Sequence, residues 1–77
     1  MKIVFSDHAE LKIRQRKLSR QKILETVEHP DFIRESYNGR EEWFKDFGKN
    51  HLKVIVIIGD EILTIITAHW IAGNRLK

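Results

Sequence analysis

His8, Lys12 and Arg16 follow one another at four-residue spacing, and His69 stands near the far end of the chain. On a helix, positions i, i+4 and i+8 fan over about 80° of the surface. That would aim an imidazole and two cations along one groove edge. Histidine moves protons near neutrality, and Lys and Arg bind phosphate. Such a set suits acid–base work beside a bound phosphate, with His8 and His69 as the acid/base candidates and Arg16 and Lys12 as phosphate binders. Arg14 and Arg20 are further RNA contacts. Tyr37, Trp43 and Trp70 are available to stack an unpaired base. The same helix reads equally as a capping histidine with two snorkelling bases paired to acids.

Other chemistries find less support. His8, His29, His51 and His69 lack H-x3-H or H-E-x-x-H spacing, so no metal site is expected. His29 reads as a helix-terminal residue and His51 as an edge-strand residue. A Ser–His–Asp triad has no nucleophile elbow to support it. Gly39, Gly48 and Gly59 read as turn glycines, and no cofactor-binding motif is present. The chain has no cysteine, which removes thiol chemistry and disulfides and fits a reducing cytoplasm. No apolar run reaches the roughly 18 residues that span a bilayer. Met1-Lys2-Ile3-Val4-Phe5 meets polar sequence too soon for a signal peptide. The expected location is cytoplasmic, with no membrane partner.

Charge is unevenly placed. The formal excess of +3 lies wholly in the first 30 residues, and residues 31–77 balance to zero. Between Leu11 and Leu24 stand Lys12, Arg14, Arg16, Lys17, Arg20 and Lys22, with no acid among them. Clustered bases of this kind attract polyanions such as nucleic acid. A solvated pair of basic helices is the other reading.

These residues need elements to position them. Lys2–Phe5 reads as a strand. Ser6 or Asp7 can cap a first helix from about His8 to Lys17; with Asp7 as N-cap, Glu10 falls at N3. Ser19 opens a second helix, with Ile23, Leu24 and Val27 as its stripe, and Pro30 stops it. Four strands follow, over Asp31–Tyr37, Arg40–Phe47, His51–Ile58 and Glu61–Ile71. Asn38-Gly39 and Gly59-Asp60 serve as turns. Residues 1–71 form one domain, and 72–77 a polar tail. The expected fold is α+β, in the order β-α-α-β-β-β-β, with two helices on one face of a twisted antiparallel sheet.

A two-residue Gly59-Asp60 turn pairs Ile58 with Glu61, Val56 with Leu63, Val54 with Ile65 and Leu52 with Thr67. That face goes to the helices, and His69 lies on it. The opposite face carries Ile55, Ile57, Ile62 and Ile66, which calls for a partner there. The partner is a second copy or another protein.

The segment His8-Ala9-x-x-Lys12-x-x-x-Arg16-x-Leu18, then a helix ending in His29-Pro30-Asp31, then Thr67-Ala68-His69, resembles a small prokaryotic family of unknown function. That family carries an HAxxRxxxRxI signature and a last strand ending in T-x-[HY]. The resemblance covers about residues 5–70. It departs at Lys12, where the pattern has Arg, and at Lys17, where Gly is frequent. The family is similar in turn to BrnT and RelE/ParE toxins of toxin–antitoxin systems, which are compact β-α-α-β-β-β proteins. The resemblance implies a toxin-like, metal-independent endoribonuclease acting on mRNA or ribosome-bound RNA: RNA supplies the 2′-OH nucleophile, His8 and His69 take its proton and give one to the leaving 5′-oxygen, and Arg16 and Lys12 stabilise the phosphate. It also implies an antitoxin as the partner on the outer sheet face. The alternative is a non-catalytic module on the same fold that binds nucleic acid or protein.

Overall fold

A computed structural model describes residues 1–72. Its elements are β1 (Lys2–Phe5), α1 (Asp7–Arg16), α2 (Arg20–Glu28), β2 (Phe32–Glu35), β3 (Arg40–Asp46), β4 (Asn50–Gly59) and β5 (Ile62–Ala72). The order is the expected β-α-α-β-β-β-β, and the fold is α+β. Ala72 belongs to the last strand rather than to a tail, and 73–77 lie outside the described residues. No helix among the described residues is long and apolar enough to cross a membrane.

Ser6, rather than Asp7, caps α1. Its hydroxyl accepts the Ala9 N–H at 3.0 Å and donates to the Ile66 carbonyl at 3.3 Å. One side chain thus satisfies a helix end and pins it to β5. Lys17 closes α1 in the left-handed region, at φ 53°. Glycine suits that position because it has no Cβ to clash. Ser19 caps α2 by accepting the Lys22 N–H. Thr26, fully buried in α2, donates its hydroxyl to the Lys22 carbonyl at 2.8 Å, so its burial leaves no orphaned group.

The strands stand in the order β1-β5-β4-β3-β2. The hairpins β2–β3, β3–β4 and β4–β5 are antiparallel, as short connections require. β1 runs parallel to β5, so the sheet is mixed, not antiparallel throughout. The reason is the two-helix excursion, which frees β1 from any hairpin constraint. β2 and β3 are shorter than the expected Asp31–Tyr37 and Arg40–Phe47 strands. The turn between them brings Asn38 and Gly39 to φ 60° and 73°. Both signs fit the primed turn that matches strand twist.

The β4–β5 hairpin departs from expectation twice. Its turn residues are Asp60 and Glu61, at φ 53° and 61°, so Ile58 pairs with Leu63 instead of Glu61. Val56 then pairs with Ile65, and the next pair is Ile55 with Thr67. Ile66 is an extra residue, a β-bulge. Side chains alternate faces along a strand, so one extra residue exchanges the faces of everything beyond it. Leu63 and Ile65 keep their expected helix side. Thr67 and His69 move to the other face, and Ala68 takes the inner side.

The core lies between that inner side and the helices. Ala9, Leu18, Ile23 and Val27 pack on Leu52, Val54, Val56, Leu63, Ile65 and Ala68. Ile13 packs against it only partly buried, and Leu24, expected in the stripe, is half-buried outside it. Leu18, between the helices, takes a core place instead.

Candidate functional site on the open sheet face

The face away from the helices is laid out by strand pairing. Phe32, Phe44, Lys53 and His69 form one row across four strands. Arg34, Glu42, Ile55 and Thr67 form the next. Asp46, His51 and Ile71 follow on the other side of the His69 row. Directly paired residues bring their Cβ atoms to about 5 Å. Lys53 and His69 are therefore immediate neighbours on an uncovered surface.

Ion pairs hold this surface in shape. Glu42 accepts the Arg34 Nε–H at 2.8 Å and lies 2.7 Å from Arg34 Nη2. Its other oxygen lies 3.6 Å from Lys53 Nζ. Glu42 and Lys53 keep only 16% and 17% of their side-chain surface exposed, so their geometry is restricted. His51 Nε2 lies 3.9 Å from Asp46 Oδ2, and its buried Nδ1 has no partner among the described residues.

Arg16 enters this face from the side. β1 covers β5 only as far as Ile65. Beyond it no described strand pairs with that edge, and Arg16 Nη1 donates to the Ala68 carbonyl at 2.9 Å. The same nitrogen lies 3.5 Å from Thr67 Oγ1. One guanidinium thus occupies a free strand edge next to His69. Burial draws the His69 imidazole below the ordinary histidine range. The charges of Lys53 and Arg16 act the same way, against Glu42. Both effects favour the neutral imidazole, the form that accepts a proton.

Of the sequence-predicted site residues, Arg16 and His69 are brought together. His8 is exposed at the start of α1, and no hydrogen bond or ion pair joins its side chain to a described residue. It does not share a groove mouth with His69 on the helix side, because the bulge turns His69 outward. Lys12 donates to Gln15 Oε1 at 3.2 Å on the helix surface. Arg20 is paired with Glu10 and stacked over Phe5 at 4.7 Å. Its guanidinium holds the Glu10 carboxyl below the usual range. Arg14 stays exposed. Lys53, Glu42 and Arg34 were missed. Lys53 did carry a signal: it is a lone charge in the apolar run Leu52-Lys53-Val54-Ile55-Val56.

Fold and site together define a small two-layer α+β domain with a cation-rich, histidine-bearing sheet face that no other described element covers. The chain belongs to the family described as Domain of unknown function (DUF4258), whose model matches residues 5–70. The matched span takes in α1 and reaches one residue past His69. Neither the comparison with curated proteins nor that with solved structures returned a match.

Proposed function

We propose that this chain is a metal-independent endoribonuclease of the toxin type, cleaving RNA on the open sheet face. One observation carries the reading: His69 is paired across the strands with Lys53 and adjoins Ala68, whose carbonyl holds the Arg16 guanidinium, on a face that no described residue covers. His69 takes the proton of a ribose 2′-OH. The 2′-oxygen attacks phosphorus, and the bond to the 5′-oxygen breaks. The Lys53 ammonium gives that oxygen its proton, and Arg16 neutralises charge on the phosphate. The products are a 2′,3′-cyclic phosphate and a 5′-OH, and water returns both groups to their starting protonation. Glu42, tied to Arg34, positions Lys53. The β-α-α-β-β-β order of RelE-like and BrnT-like toxins resembles this chain's order with one strand fewer, and this analogy supports the reading by association. Within this reading the natural setting is cytoplasmic. An antitoxin laid over Ile55 and Ile57 would cover Lys53 and His69 as well, which blocks the site directly.

The test is incubation of the purified chain with RNA in EDTA. Cleavage leaving 2′,3′-cyclic ends is expected. His69→Ala, Lys53→Ala and Arg16→Ala should each lower the rate, the first by about 10²–10⁴-fold, with the fold intact by circular dichroism. Dependence on added divalent metal, or full activity in the His69→Ala/Lys53→Ala double variant, would refute the mechanism. A second reading has its own observation: His69 faces the open side of the sheet, while His8 stands at the start of α1 on the helix side. On that reading the chain binds nucleic acid without cutting it. Salt-sensitive RNA binding with no cleavage would establish it.

A further inference from the structure

Phe32 and Phe44 are stacked ring on ring, with centroids 4.5 Å apart and planes 12° from parallel. Phe44 is fully buried, while Phe32 keeps 41% of its surface exposed. β2 is the last strand of the described sheet, so among the described residues no further strand covers the far side of the Phe32 ring. Arg34, two residues along on the same face, holds its guanidinium 5.0 Å from the Phe44 ring centre. A two-ring stack braced by a cation therefore ends in one free aromatic face. It ends there in the same row as Lys53 and His69.

From these residues the geometry points to a nucleobase subsite on Phe32, where a base of single-stranded RNA crossing the sheet continues the Phe32–Phe44 stack. This inference rests on the RNA reading above, but on binding alone and not on cleavage. The occupant follows from charge and shape. The open face carries Lys2, Arg34, Arg40 and Lys53, with Arg16 at its edge, against Glu42 and Asp46. A polyanion with flat apolar faces complements both the cations and the ring. Three strand spacings separate the β5 and β2 rows, about 14 Å. A base on Phe32 thus lies roughly two or three nucleotides from the phosphate at His69. Every base offers a π-face, so the subsite tolerates any sequence.

The probe is a short single-stranded 2′-O-methyl oligoribonucleotide in EDTA, which lacks the free 2′-OH and is not cut. A 2-aminopurine is moved through its positions. The wild-type chain should bind it and quench 2-aminopurine fluorescence at one preferred position. Phe32→Leu keeps an apolar cover over Phe44 but removes the ring. It should weaken binding about 5- to 150-fold, the usual worth of one base–aromatic stack, and abolish the quenching. Phe32→Trp should restore both. Unchanged binding and quenching in Phe32→Leu overturns the subsite while the RNA reading stands. Failure of the wild-type chain to bind the oligonucleotide overturns the RNA reading and the subsite with it. Light scattering on the same samples covers the remaining case. A wild-type dimer that Phe32→Leu dissociates, with no RNA bound, assigns the ring to a second copy of the chain and ends the proposal.

Discussion

Truncating Val56 and Ile57 separately puts the sidedness of β4 to a quantitative test. Val56 is fully buried on the helix side, opposite Ile65. Ile57, next along, is half-buried on the open face, between Arg40 and Thr64. Val56→Ala removes two carbons at about 0.8 kcal/mol each, plus a cavity contribution where the core fails to close. The expected loss is about 1.5–3 kcal/mol. Ile57→Ala removes three carbons and would cost more if the two sites were equally buried. Part of that surface is already in water, and truncation on an open face leaves no closed cavity, so its loss should be about 1.5–2 kcal/mol. The larger truncation should therefore do no more damage than the smaller. Urea unfolding followed by tryptophan fluorescence measures both. A domain of this size loses about 4–8 °C in Tm per kcal/mol, so Val56→Ala should melt about 8–16 °C lower for a 2 kcal/mol effect. Ile57→Ala costing more than Val56→Ala would refute the assigned faces, and with them the placement of His69.

Other expectations follow from single features. The His69 imidazole has a lower proton affinity folded than unfolded, so the unfolded chain binds more protons just below the ordinary histidine range of about 6.5. The His69 contribution to stability is fully present above that range and is lost as pH falls through it; Tm against pH should slope there in the wild type and less in His69→Gln. For the same reason the RNA-cleavage rate should hold from neutrality to below that range before it declines. Lys17→Gly should stabilise the fold by up to about 1 kcal/mol, since Lys17 closes α1 at φ 53°; a lower denaturant midpoint would contradict this. Arg20→Ala should leave the midpoint almost unchanged, because its partnership with Glu10 is on the surface.

Local signals made most elements legible. Ser19, Pro30, Asn38-Gly39 and the Val/Ile runs each act within a few residues, and the elements they mark are present. What sequence could not supply was long-range or registral. Nothing in Lys2–Phe5 says which strand it joins or in which direction, so its parallel pairing with β5 was invisible. The bulge at Ile66 was invisible for another reason. The segment Leu63-Thr64-Ile65-Ile66-Thr67-Ala68-His69 alternates acceptably in either phase, and packing alone chooses between them. That choice moved His69 across the sheet and separated it from His8. Arg16 and His69 were found because Arg and His are chemically conspicuous. Glu42 and Arg34 were not, because alternating charges on a strand look like ordinary solvent exposure.

The extra residue at Ile66 divides β5 into two independent working lengths. Before it, Ile62–Ile65 is clamped on both sides, by β1 and β4. After it, Thr67–Ala72 has only β4 beside it, with Arg16 on the other flank. The first length keeps the molecule together; the second displays His69. Because the phase change sits at their junction, removing Ile66 alone would leave every later residue facing as it does now, on a straighter strand. Inserting one residue after Thr67 would instead turn His69 inward and bury it against the helices. The strand therefore tolerates loss at one address and forbids gain at the next, an asymmetry that a library of single-residue insertions and deletions along β5 would display directly.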